Sequence, residues 1–346
     1  MKKVMIAVED SVHSKNAVRY AAHISAWVKN MSYVLFHVQP MLSQYLEDEA
    51  RTDFKSRNQL NQIKVKNMSY VLFHVQPMLS HYLEDEARTD FKSLNKLNLI
   101  KAKNIEASHQ LLEQYKSQMV QTGIEESQIQ IVTHPTNLGI AKDIIEYAAK
   151  GQYDALVLGR RGVSILIEYY MGSVSSNIAQ NSRVTPIWVV GSNVTPAKIL
   201  VAIDGSEYSL RAIDHLAYIV SDHSDISLTF LHVQPRLKDF CKIDFETKEA
   251  DAFEDLIIKG NQNCIDNFYA LALKKLKEFG IKKDRIEIKT VTCLFTIGSA
   301  IVDEVKTRNF DTVVMGRSGI NKSFFTGSVT NYVLNNLSNA AIWIVP

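Results

Sequence analysis

Lys3–Ala22, KVMIAVEDSVHSKNAVRYAA, lies over Lys198–Ala217, KILVAIDGSEYSLRAIDHLA, without a gap at an offset of 195. Each begins with an unbroken apolar and β-branched run, Val4–Val8 or Ile199–Ile203, the pattern required of a parallel strand buried on both faces. Each continues through serines suited to capping a helix (Ser11, Ser14; Ser206, Ser209) into apolar positions at helical spacing. The same comparison sets LVLGRRG (156–162) beside VVMGRSG (313–319), and TPIWVV (185–190) beside AAIWIV (340–345), so that Trp188 falls on Trp343. The chain therefore reads as two related domains, 1–192 and 197–346, joined through GSNVTPA at 191–197.

Each half alternates strand and helix. After the first strand and helix come strand two (YVLFHVQP; LTFLHVQP), a long helix (105–121; 263–279), strand three (IQIVT; IEIKT) and a helix over 141–149 or 300–306. Strand four is ALVLG or TVVMG, and strand five is PIWVV or AIWIV. Strict alternation implies an α/β fold, a doubly wound parallel sheet with right-handed crossovers and helices on both faces.

A second repeat is nested in the first half: Val28–Lys64 recurs as Val65–Lys101, 37 residues with four differences. Copy one preserves the spacing from strand one, since Glu9 to His37 spans 28 residues as Asp204 to His232 does. Copy two preserves the spacing onward: His74 lies 85 before Gly159, and His232 lies 84 before Gly316. The period holds a complete strand and helix, so we expect the extra unit to extend the sheet and give the first domain six strands. The opposing reading leaves one copy outside the sheet, where VLFHV would be an aggregation hazard.

Glycines follow strand four. The first half has Gly159-Arg160-Arg161-Gly162, nine residues, then Gly172-Ser173-Val174-Ser175; the second has Gly316-Arg317-Ser318-Gly319, seven residues, then Gly327-Ser328-Val329-Thr330. Glycine after a parallel strand admits close backbone approach, and Gly-Ser at a helix start offers N–H groups, a hydroxyl and the positive dipole end to an anion. A phosphate suits that combination. The bland readings are a glycine that ends a strand and a Gly-Ser that merely begins a helix; Asp204-Gly205-Ser206 is equally compatible with a turn and cap. Arg160, Arg161 and Arg317 divide between phosphate contact and solvation. His37, His74 and His232 lack a carboxylate or cysteine at ligand spacing and read as packing residues. Tyr169, Tyr170, Phe324 and Phe325 read as anchors of the loops before Gly-Ser.

Composition narrows the function. Of 346 residues 46% are hydrophobic and 22% charged, with 39 Lys+Arg against 37 Asp+Glu, which leaves no surplus to draw the chain onto nucleic acid or a membrane surface. Three scattered cysteines (Cys241, Cys264, Cys293) offer neither a disulfide framework nor a structural metal site, the redox pattern of the cytoplasm. No apolar stretch approaches the ~20 residues of a membrane span. MKKVMIAVEDSVHS is interrupted by Glu9 and Asp10 and is expected to be a strand, not a signal peptide. Gly-x-Ser-x-Gly, His-Glu-x-x-His and Gly-x4-Gly-Lys-Ser/Thr are all absent, so no catalytic residue is assigned.

The strand-one endings AVEDSVHS and AIDGSEYS, HVQP after strand two, and Gly-x2-Gly-x9-Gly-Ser together resemble the universal stress protein family in its tandem form. The resemblance implies two five-stranded domains of order 3-2-1-4-5, adenine-nucleotide alpha-hydrolase-like, with ATP between strands one and four and magnesium or manganese beside it. It implies that Asp204 meets adenine or ribose, that the Val233 backbone meets adenine, and that Gly316, Gly319, Gly327, Ser328 and Thr330 hold ribose and phosphates. In the first half the counterparts are Glu9, Val38, Gly159, Gly162, Gly172, Ser173 and Ser175; Val75 replaces Val38 if copy two pairs with strand one. The sequence departs from the family at Glu9, where aspartate is usual, and in the seven-residue spacing after Gly319. A nucleotide-binding regulator, a scaffold with empty sites and a slow ATPase all remain open. Family members often pair through strand five, which implies an intramolecular pseudo-dimer here, with homodimerisation and an unknown protein partner left open.

Overall fold

The apolar runs that open the two halves lie at the centre: Val4, Met5 and Ile6, and Ile199, Leu200 and Val201, have no exposed surface. The computed structural model describes residues 2–27, 31–39, 70–71, 91–161, 171–192, 194–221, 226–234, 247–293, 295–319 and 326–346. The first half supplies β1 (Lys2–Ala7), α1 (Val12–Trp27), β2 (Met31–Gln39), β3 (Tyr70–Val71), α2 (Phe91–Gln121), β4 (Ile129–Pro135), α3 (Ile140–Lys150), β5 (Ala155–Gly159), α4 (Ser173–Asn181) and β6 (Ile187–Val190). The second supplies β7 (Lys198–Ile203), α5 (Glu207–Val220), β8 (Ser227–Gln234), α6 (Thr247–Glu278), β9 (Ile286–Thr292), α7 (Ile297–Arg308), β10 (Thr312–Gly316), α8 (Ser328–Asn336) and β11 (Ala341–Val345).

Among the described residues these eleven strands make one sheet. The second half runs β11-β10-β7-β8-β9 and is parallel throughout. The first half repeats that order as β6-β5-β1-β2-β4, also parallel. The direction of winding reverses between β1 and β5 and between β7 and β10, where an open α/β sheet leaves a crevice at its carboxyl edge. One apolar layer packs α1, α2, α5 and α6 on one face through Ala17, Leu112, Ala212 and Ile265. A second packs α3, α4, α7 and α8 on the other through Ile144, Ile178, Ile301 and Val333. Both layers run through both halves.

The halves meet where β6 and β11 pair antiparallel, with Trp188 opposite Trp343. The two indoles stack at 4.0 Å between centroids and 5° between planes, and both are fully buried at the junction. Trp343 Nε1–H donates to the hydroxyl of Tyr20 at 2.9 Å, and Trp188 Nε1–H donates to Nε2 of His215 at 3.1 Å. Tyr20 in α1 and His215 in α5 are equivalent by the 195-residue offset. Each half's tryptophan is thus held by the other half's first helix.

The duplication resolves unevenly. β2 comes from copy one and pairs with β1, whereas α2 begins inside copy two. Among the described residues the first half has six strands, the number expected, with β3 described over Tyr70–Val71 and in register through Tyr70 opposite Val34. β4 also pairs with β2, from Tyr33↔Ile129 to Gln39↔Pro135. That register matches Leu228↔Ile286 to Gln234↔Thr292 in the second half. YVLFHVQP is identical in both copies, so either offers β4 the same edge, and pairing alone could not reveal which is used. Val75 and His74 lie outside the described residues.

Candidate functional site

In the second half, the end of β7 and the start of α5 form a hydrogen-bonded knot. Gly205 takes φ +80°, a left-handed conformation that costs glycine little, and turns the chain so that Ser206 caps α5 by accepting from Ser209 N–H at 3.2 Å. The Oδ1 of Asp204 accepts from Ser206 N–H at 3.0 Å and from the Ser209 hydroxyl at 2.6 Å. Its other oxygen faces Gly319: a Cβ on residue 319 would stand 2.7 Å from Oδ2. The turn after β7 and the glycine loop after β10 are thereby brought together at the crevice, so closely that an alanine at 319 would press on the Asp204 carboxylate.

The remaining glycines divide by role. Gly316 packs on the first turn of α5, where an added Cβ would meet Tyr208 Cβ at 2.7 Å and its carbonyl carbon at 2.8 Å. Gly159 does the same on α1, at 2.7 Å from the His13 carbonyl carbon. Close strand-to-helix approach therefore explains both glycines without a ligand. Gly327 is different, since a Cβ there would make only ordinary contacts, 3.5 Å to Arg317 O and 3.5 Å to Ser318 Cα.

Gly172 and Gly327 are the N-caps of α4 and α8, extended at φ −62° and −59°, and neither helix has a side-chain cap. Their own N–H groups donate to Arg160 O at 3.0 Å and Arg317 O at 2.9 Å. Ser173 and Ser328 follow, exposed, at helix starts whose first-turn amides have no intrahelical acceptors. The buried Ser175 and Thr330 hydroxyls donate to Gly159 O at 2.8 Å and Gly316 O at 3.0 Å, so they brace the turns between strand and helix. Gly162 lies outside the described residues, as do Tyr169, Tyr170, Phe324 and Phe325.

In the first half, Glu9 N–H donates to the Ser14 hydroxyl at 2.9 Å, the counterpart of Asp204 N–H on Ser209. Burial raises the Glu9 carboxyl above its ordinary range, and a hydrogen bond from Ser11 opposes the rise. The Tyr115 hydroxyl of α2 donates to Glu9 O at 3.0 Å, so the helix begun in copy two closes over this site. Val38 stands in β2 opposite His134, and Val233 is buried in β8 opposite Val291. His232 is buried with Nδ1 3.2 Å from Ile203 O, and burial depresses its pKa, as befits a packing residue. Among the described residues no group of three or more His, Cys, Asp or Glu could hold a metal ion.

Arg160 and Arg317 follow neither sequence reading. Both are buried, and both reach the other half. Arg160 donates to Leu334 O, to Leu337 O at 2.8 Å and to Asn335 O at 3.1 Å. Arg317 donates to Gln180 O and to Ser182 O at 2.8 Å. The available signal was their shared place directly after the first glycine of each loop; their partners lie more than a hundred residues away.

A doubly wound sheet with a glycine loop and an uncapped Gly-Ser helix at each reversal point defines a tandem α/β protein of the Rossmann type. The sequence profile of the universal stress protein family matches residues 1–191 and again 196–346. The chain belongs to that family, as a two-domain member. Its fold is similar to a universal stress protein from Archaeoglobus fulgidus DSM 4304 at TM-score 0.55 and 16% identity, covering 99% of this chain and 97% of that one. UspA from Lactobacillus plantarum covers 43% of this chain and 97% of its own (TM-score 0.36, 18% identity). A universal stress protein solved in complex with cAMP also covers 43% of this chain, and 97% of its own (TM-score 0.31, 22% identity). No curated protein matches the sequence. Among the described residues no helix is long and apolar enough to cross a membrane.

Proposed function

We propose that the chain is a cytoplasmic, adenine nucleotide-binding regulator of the stress response, with its two halves acting as an intramolecular pseudo-dimer. The observation that carries this reading is the close approach of the loop glycine Gly319 to the Asp204 carboxylate at the reversal crevice, where an added Cβ would stand 2.7 Å from Oδ2. In this reading Asp204 Oδ2 takes a ribose hydroxyl, the Val233 backbone meets adenine, and the α8 amides with Ser328 take the phosphates of ATP. Gly316 and Thr330 hold the turn that presents them. Glu9, Val38, Gly159, Gly162, Gly172, Ser173 and Ser175 take the corresponding places in the first half. Magnesium or manganese would be carried by the phosphates, since the described residues offer no ligand cluster. Asp204 Oδ1 is engaged by two donors, which suits an orienting acceptor better than a general base. The expected role is therefore binding, with slow ATP hydrolysis at most.

The scaffold reading draws on a different observation: Gly159, Gly316, Ser175 and Thr330 all have structural work independent of a ligand. Calorimetric titration of ATP with magnesium into the wild-type chain, Gly319→Ala and Gly327→Ala separates the two. Alanine fits the backbone and the space at 327, so weakened binding there reports on the ligand rather than the fold. We expect each substitution to weaken ATP binding in the second half at least about tenfold, equivalent to ~1.4 kcal/mol. A wild-type chain that takes no nucleotide would establish the scaffold.

A further inference from the structure

The two buried arginines close a ring of hydrogen bonds around the junction between halves. Arg160 accepts the Gly172 N–H at the start of α4 on its backbone carbonyl, while its side chain holds carbonyls of Leu334, Asn335 and Leu337 at the end of α8. Arg317 accepts the Gly327 N–H at the start of α8 on its carbonyl, while its side chain holds Gln180 and Ser182 carbonyls at the end of α4. Each arginine thus ties the start of its own half's Gly-Ser helix to the end of the other's. A helix C-terminus presents unsatisfied carbonyls and partial negative charge, and the planar guanidinium fork can bridge several of them where one ammonium cannot. Among the described residues no carboxylate is hydrogen-bonded to either group, and the Nε of each has no hydrogen-bond partner. The two helices therefore hold these cations through main-chain carbonyls, and movement of a helix along its axis must either carry the opposite loop with it or strip a buried charge of its partners.

We propose that Arg160 and Arg317 are positioning residues that couple the two Gly-Ser sites, so that a nucleotide bound at one helix start raises the affinity of the other; this rests on the nucleotide-binding reading. An anion at Gly172-Ser173 fixes α4, whose far end holds Arg317, and Arg317 in turn sets the Gly316–Gly319 loop and the start of α8. Ordering one site therefore leaves less to order at the second, which makes the coupling positive. The reverse path through Arg160 is equivalent, as linkage requires.

The test has two arms, the first without nucleotide. In Arg160→Met, amide exchange is expected to quicken about tenfold at Gly327 and Asn331, whose N–H groups bond Arg317 O and Gly327 O at the far end of α8, as well as beside Leu334–Leu337. Arg160→Lys, which keeps the charge but cannot span the same carbonyls, gives the same pattern at smaller amplitude if the Met variant does not fold. Exchange that changes only near residues 334–337 overturns the coupling. In the second arm, ATP with magnesium is titrated into the wild-type chain and into Arg160→Lys/Arg317→Lys. The wild type should bind its second ATP roughly 5-fold or more tighter than its first, within the usual range of coupling, and the double variant should bind both independently. Independent binding by the wild type, or cooperativity retained by a folded double variant, overturns the proposal. Spread of exchange along α8 in a chain that binds no ATP would refute the nucleotide reading while supporting the mechanical link.

Discussion

His215 makes the junction sensitive to acid, and the size of the effect follows from its surroundings. Burial beneath the stacked indoles pushes its pKa down to about 3, against weak opposition from Asp214. Its Nε2 is occupied as the acceptor for Trp188 Nε1–H, so protonation would also place two donors face to face. In the unfolded chain the ring titrates at its ordinary value near ~6.5. Between those values the unfolded state binds the extra proton, so stability falls as pH drops below about 6.5 and levels off below about 3. At pH 5 the native ring is neutral while the unfolded ring is almost wholly charged, a loss of about 1.5 logarithmic units or ~2 kcal/mol relative to pH 8. The residue as a whole is only partly buried, which makes this the upper end. His215→Phe cannot titrate, so its loss between pH 8 and pH 5 should be ~2 kcal/mol smaller than wild type, whatever its absolute stability. Urea unfolding at the two pH values, followed by tryptophan fluorescence, measures both losses. Equal losses in the two proteins would refute the claim that the junction holds His215 neutral.

Other substitutions test the packing and the duplication. Gly316→Ala drives a Cβ to 2.7 Å from Tyr208 Cβ and should cost ~1–3 kcal/mol in denaturant unfolding. Gly260→Ala has nothing within 4 Å of the new Cβ inside α6 and should instead stabilise by about 0.5–1 kcal/mol. Trp188→Ala removes one partner of the stacked pair and should cost ~3–5 kcal/mol, read by thermal unfolding and by faster proteolysis between the halves. Deleting Pro40–Gln76 rejoins HVQ to Pro77 and removes 37 residues. It should leave every described element except β3, and stability should change by no more than about 1 kcal/mol, the loop-closure saving of a shorter connection; loss of the β2–β4 pairing in this variant would refute the reading that the sheet needs one copy of the repeat alone.

Local pattern was sufficient for the scaffold. The apolar runs at Val4–Val8 and Ile199–Ile203, the capping serines at 206 and 209, and the strand–helix alternation all specify the same parallel sheet, because a doubly buried strand and a capped amphipathic helix are written in neighbouring residues. The place of β4 was not legible, since identical YVLFHVQP segments present identical edges. In the site, sequence singled out Asp204 and Gly319, which the fold brings together. It did not reveal that Gly159 and Gly316 answer to His13 and Tyr208, nor that Ser175 and Thr330 brace carbonyls, because a glycine or hydroxyl looks alike whether its neighbour is a ligand or a helix turn. Arg160 and Arg317 were least legible of all. Their acceptors are main-chain carbonyls of the opposite half, and any residue type supplies a carbonyl.

The central claim is that these loops hold an adenine nucleotide. Freshly purified protein, denatured and its released small molecules separated by chromatography and weighed, should yield ATP in a fixed ratio to chain, and Gly319→Ala should lose the equivalent held by the second half. Protein that releases no nucleotide, and that gives no heat when ATP and magnesium are added, would contradict the account.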